Sequence, residues 1–147
     1  MKNIPPSSSA ISLTNKTRFR AVPLKKIKRF LQTILDILGH KNAGLEVLLI
    51  TDRTMMQWNK RVFGRTGSTD VISFPFNERY FLGSILISAD KTAAQARQYR
   101  HSFQKELKLL LIHGVLHLMG FDHDCSRRAT RMRKMEQKLF CKTKYLR

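Results

Sequence analysis

The sequence predicts an α+β fold, a small mixed β-sheet with helices packed around it and a metal cleft at the end of a central helix. Three observations carry this. Short runs rich in β-branched and aromatic residues are interleaved with longer segments whose apolar residues recur with helical spacing. A length of 147 residues suits one domain, 1–147, with one core. A concentrated histidine cluster follows the most apolar of the helical segments.

The elements follow in order. Residues 1–10 (MKNIPPSSSA) are rich in Pro and Ser and are expected to be loose, with ISLTNKTRF after them as an edge strand. Pro23 opens a helix through PLKKIKRFLQTILDILG, in which Leu24, Ile27, Phe30, Leu31, Ile34, Leu35 and Leu38 share a face and Gly39 marks the end. LEVLLIT (45–51) reads as a buried strand, and Asp52 as the cap of a helix through MMQWNKRVF. A basic loop, GRTG (64–67), leads into TDVISFPF (69–76), a strand that Pro75 is expected to end. LGSILIS (82–88) is the next strand, joined to the last by a hairpin turn over 77–80. Asp90 is expected to cap the helix KTAAQARQYR. A longer helix runs from about Ser102 to Met119 with Phe103, Leu107, Leu110, Leu111 and Val115 on its apolar face. RRATRMRKMEQKLF closes the chain as a basic amphipathic helix.

Composition narrows the function. No stretch of 18 apolar residues spans a membrane, and the N-terminus lacks the apolar core of a signal peptide. Cys125 and Cys141 do not make a disulfide framework, so a reducing cytoplasm is expected. The net charge is +18, from 28 basic and 10 acidic residues, and it is uneven. Residues 1–30 hold eight basic residues and no acid; residues 126–147 hold nine against Glu136 alone. Such a field favours a polyanion, because neutralised phosphates release condensed counterions. The alternative is a basic surface that is merely solvated. A lipid surface fits less well, since the basic segments lack a wide lipid-facing apolar stripe.

HGVLHLMGFDHD (113–124) holds three of the five histidines. On a helix, His113 and His117 lie about 40° apart around the axis and roughly 6 Å along it, so both imidazoles can converge on one ion. Continued as a straight helix, His123 would sit about 9 Å beyond His117 and out of reach. Gly120 stands where a break is needed, because glycine adopts the left-handed conformation that ends helices and lets the chain turn back. Three imidazoles leave the fourth tetrahedral position open, the arrangement of catalytic zinc, with one ion per chain; nickel or another divalent ion fits the same nitrogens. A closed structural site would recruit a fourth ligand, and Cys125 is the candidate in sequence. Ordinary core or surface histidines are the remaining alternative, the reading given to His40 and His101.

The spacing His113, His117, Gly120, His123 is shared with metzincin proteases, but the glutamate that such enzymes use as a base is replaced by Gly114. HGVLHLMGFDH resembles instead the H-G-x-x-H-L-x-G-[YF]-D-H signature of the YbeY family of metal-dependent endoribonucleases. TDVISFPF is similar to that family's T-[DN]-V-L-S-F-P segment, and the resemblance spans roughly residues 45–140. It implies a mixed sheet with helices around a cleft, and zinc on His113, His117 and His123. It also implies cleavage of single-stranded RNA in 16S rRNA 3′-end maturation and ribosome quality control. Two positions depart from the family pattern. Ser84 stands where an Asp is usual, and Phe63 stands where an Arg precedes the glycine of an N-x-x-[YF]-R-G stretch.

Arg61 and Arg65 flank that departure and can supply the missing charge to a substrate phosphate; ordinary surface charge is the competing account. Trp58 and Phe63 are expected in the core rather than as base-stacking platforms. The C-terminal helix suits rRNA, the small ribosomal subunit or one of its proteins, or simply solvent. A peptidase of unusual design and a non-catalytic rRNA-binding assembly factor are the alternatives to a nuclease.

Overall fold

The computed structural model describes residues 10–20 and 22–144. The loose start expected for 1–10 falls almost wholly on residues 1–9, outside the described residues. The element order is β1 (Ile11–Asn15), α1 (Leu24–Ile37), β2 (Gly44–Ile50), α2 (Asp52–Phe63), β3 (Val71–Glu78), β4 (Phe81–Ser88), α3 (Ala89–Gln98), α4 (Phe103–Leu118) and α5 (Ser126–Thr143). The strands form one sheet in the order β1-β2-β4-β3. The first two pairings are parallel and the β3–β4 hairpin is antiparallel, so the sheet is mixed as expected.

Alternation along the strands sorts side chains between two layers. Leu45, Val47 and Leu49 of β2, with Ile85 and Ile87 of β4, face the larger core built with α1, α4 and α5. Ile50, Ile72 and Leu86 point the other way, into a smaller cluster under α2 with Met55, Trp58 and Phe74. Trp58 is thus in the core, edge-on to Phe74 at 5.9 Å between centroids. Phe63 is not: at the end of α2 it is 50% exposed.

α4 departs from a one-faced helix. Leu107, Leu110, Leu111, Ile112, Gly114, Val115, Leu116 and Leu118 are all buried, because α4 lies between the sheet and α5. It is the central helix. Gly114 permits its close approach to the sheet: a Cβ there would meet two methyl groups of Ile85 at 3.1 Å and Ser73 Oγ at 3.4 Å.

Pro75 does not end β3. The strand continues to Glu78, with the ladder shifting register between Pro75 and Glu78. β3 is an edge strand, where a residue without an N–H removes no ladder bond on its open side. Both expected caps also move by one or two residues. Thr51, not Asp52, caps α2 by accepting from Thr54 N at 3.2 Å, and Ser88, not Asp90, caps α3 by accepting from Lys91 N. The two aspartates instead tie elements together. Asp52 accepts from Ser68 and from Ser88 Oγ, and Asp90 accepts from the Asp52 backbone N–H at 2.7 Å. A hydroxyl reaches back to a helix's own N–H groups from the preceding residue, which frees the carboxylates for contacts distant in sequence.

Candidate metal centre and cleft

α4 ends at a glycine, as the histidine spacing requires. Gly120 has φ +88°, its N–H donates to His117 O at 3.1 Å, and the Phe121 N–H donates to Leu116 O at 3.0 Å. These two bonds make the Schellman closure, which satisfies the last carbonyls and reverses the chain. His123 is carried back over the end of the helix. Ring centroids of His113, His117 and His123 lie 4.6, 5.3 and 5.9 Å apart in pairs, and one nitrogen from each falls within 4.8 Å of the others. Cys125 is exposed and belongs to no such group among the described residues, so the closed four-ligand arrangement is not formed.

The donor set suits a divalent ion of the zinc type. His113 and His117 present their Nε2 atoms to each other at 3.0 Å. A tetrahedral ion bound at about 2.0–2.1 Å needs neighbouring nitrogens roughly 3.3 Å apart. His113 is oriented by Glu136 of α5, whose Oε1 is 2.7 Å from His113 Nδ1. A carboxylate only accepts, so Nδ1 carries the proton and Nε2 keeps its lone pair for the site. Burial, reinforced by the nearby His113 and His123, pushes the pKa of His117 down; Asp122 opposes this. The neutral ring, which is the ligating form, is therefore favoured.

The histidines floor one side of a cleft of about 930 Å³. Phe63, Arg65, Asp70 and Ser73 line the same cleft from the end of α2, the following loop and β3. Arg65 is thus brought to the cleft, with its guanidinium 5.7 Å from the Phe63 ring centroid. Arg61 is not among the lining residues; its guanidinium lies 5.8 Å from the Trp58 ring on α2. The loop that carries Arg65 is anchored at both ends. Gly64, at φ +64°, terminates α2, buried Asn59 donates to Gly67 O at 3.0 Å, and Ser68 donates to Asp52.

Three residues of this site escaped the sequence. Glu136 lies 23 positions from its partner; its one signal was being the sole acid in a basic segment. Phe63, expected in the core, sits at the mouth of the cleft. Asn59 reads as an ordinary helix residue until the loop folds over it. His101 is also corrected: rather than a surface residue, it is paired through Nε2 with buried Glu106. Ser84, at the position where the family pattern has an acid, donates to Glu46 of β2 at 2.7 Å. His40 is exposed, as expected.

Comparison with known proteins agrees with the geometry. The family model described as endoribonuclease YbeY matches residues 12–144. The endoribonuclease YbeY of Thermodesulfovibrio yellowstonii is 40% identical over 134 residues, covering 82% of this chain and 84% of that protein. Those of Aquifex aeolicus and Bacillus subtilis are 36% and 35% identical, covering 74% and 84% of this chain and 75% and 83% of theirs. The solution structure of TM1509 from Thermotoga maritima shares the fold, with a TM-score of 0.60 over 91% of both chains at 22% identity. With a three-histidine group at the end of its central helix and a family match over nearly its whole length, the chain belongs to the YbeY endoribonuclease family.

Proposed function

We propose that this chain, as one domain over 1–147, is a zinc-dependent endoribonuclease that cleaves single-stranded RNA. His113, His117 and His123 hold one ion per chain. The observation that carries the reading is the convergence of three imidazole nitrogens within 4.8 Å, in a cleft that Arg65 also lines. When bound, a divalent cation supplies Lewis acidity for a phosphoryl oxygen.

The chain's own residues do the rest. Arg65 binds the scissile phosphate and meets the charge that builds on it. Phe63 offers a ring at the mouth of the cleft on which a base can stack. Glu136 retains the proton on His113 Nδ1, so that the ring keeps one tautomer and one orientation. Arg61, turned towards Trp58, contacts phosphate only outside the cleft. By family, the substrate is 16S rRNA near its 3′ end, within maturation and quality control of the small ribosomal subunit in the cytoplasm. No helix among the described residues is long and apolar enough to cross a membrane, which is compatible with that setting.

A peptidase is disfavoured by packing as well as by composition. A Cβ at position 114 would press on two methyl groups of Ile85 of β4 at 3.1 Å, so a glutamate there would require Ile85 to give way. The deciding experiment compares metal content and RNA cleavage in the natural chain and in His123→Ala. Loss of both together supports the nuclease; cleavage that persists without metal refutes it, and tight RNA binding without any cleavage by the natural chain favours the assembly factor. A single 2′-deoxy substitution at the scissile position then identifies the nucleophile, since only attack by the neighbouring hydroxyl needs it.

A further inference from the structure

The charge of this protein is not spent in the cleft. Among the described residues that line the histidine cleft, only Arg65 is a permanent cation. The helix with the most basic residues among those described is α5, with seven in 18 residues. Arg127, Arg131, Lys134 and Lys138 follow one another at intervals of four, three and four. They therefore share an arc of about 60° and run for roughly 16 Å along one face. All four are exposed, and none has a carboxylate within ion-pair distance among the described residues. They line a shallow groove with Ser126 and Thr130. The opposite side of α5 is committed to the fold, through buried Met132 and Leu139 and through Glu136 at His113.

The groove and the histidine cleft are separate hollows, with a small depression between them that shares one lining residue with each. Arg131, whose guanidinium lies 5.2 Å from the Phe121 ring centroid, lines both the α5 groove and a small depression beside the turn after α4. Asp122 lines both that depression and the cleft. A strand leaving the histidines past Phe121 would pass Arg131 of the basic stripe. Two acids stand at this junction. Asp124 is already held by Arg128 at 3.1 Å, and Asp122 accepts from the His123 backbone N–H at 2.7 Å.

We propose that α5 is a second RNA-binding surface, on which Arg127, Arg131, Lys134 and Lys138 hold the phosphates of the substrate strand beyond the cleft. Contacts of this kind carry no base preference; they add affinity and set the direction in which the strand crosses the site. An acidic protein could pair with the same charges. RNA is favoured because Arg131 links the stripe to the depression beside the cleft, so that the molecule being cut can also reach it. The inference rests on the nuclease reading for the identity of the strand, but its test does not depend on cleavage.

The variant Arg127→Gln, Lys134→Gln, Lys138→Gln removes three charges with a residue that favours helix; Arg131 is kept because it packs on Phe121. Binding of an RNA of about 20 nucleotides is measured across a salt series, on the full-length chain in chelator so that nothing is cut. Affinity at low salt should fall roughly tenfold or more, and the slope of log K against log salt should become shallower by about 2, near 0.7 for each lost contact to a single strand. Cleavage of a dinucleotide, which has no phosphate beyond the scissile one, should stay within about twofold when metal is restored. Unchanged affinity and slope would overturn the proposal and leave the stripe to an acidic protein. If the natural chain binds RNA but cuts none, the nuclease reading falls while the slopes still decide the surface. Circular dichroism of the variant guards against a trivial loss of fold.

Discussion

Two helices end at the cleft, and they end differently. α4 is buried along most of its length and turns at Gly120 to bring His123 back over His117; α2 lies on the outside of the sheet and turns at Gly64 into the loop that carries Arg65. The first end is held by the main core, by the Schellman bonds and by Glu136 from a third element. The second has Val62 and Phe63 exposed at its tip, and its loop is fastened by single polar contacts from Asn59 and Asp52. The difference follows the chemistry. Metal ligands tolerate little displacement, and two of the three sit on the most buried helix, whereas a phosphate contact by a long guanidinium accommodates a strand of variable shape.

This contrast can be broken by substitution, starting with the ligands. His117→Ala should reduce both bound metal and RNA cleavage to background, measured by elemental analysis and by cleavage of a labelled single strand. Next in size is the support behind them. Glu136→Ala should weaken metal binding by about 10–100-fold, and Glu136→Gln, which keeps an acceptor for His113 Nδ1, should recover part of it. Equal affinity in all three proteins would show that α4 alone orients His113. On the other wall, Arg65→Ala should lower kcat/KM by about tenfold with metal binding unchanged. Arg65→Lys should recover most of that if the loop is adaptable; a loss as deep as that of His117→Ala would mean that both ends are equally exacting. Gly120→Ala should cost about 1 kcal/mol in urea unfolding of the metal-free chain, since φ is +88° but no atom lies within 4 Å of the new Cβ. Arg61→Ala should change cleavage by less than about twofold.

The histidine end was readable because its parts are close in sequence. Helical spacing puts His113 and His117 on one face, and a glycine three residues after the second is the only local device that returns His123 to it. The arginine end was only half readable. Arg61 and Arg65 carry the same charge at neighbouring positions, and nothing local says that one faces the cleft while the other lies over Trp58. Pro75 misled for a similar reason: whether a proline stops a strand depends on whether the strand is central or at an edge, and that is settled by the neighbour it pairs with. Phe63 misled because its hydrophobicity says nothing of where α2 runs out of sheet to cover.

The residue order by itself determined the fold class, most element positions and the three candidate ligands, because periodicity, capping and helix termination act over a few residues. Only the tertiary structure decided which charges share a space. Glu136 reaches His113 across 23 residues, Arg65 lines the histidine cleft from the loop after α2, and four cations of α5 line one groove. Such pairings depend on how helices cross a sheet, and a packing direction is a property of the whole core rather than of any short stretch of chain.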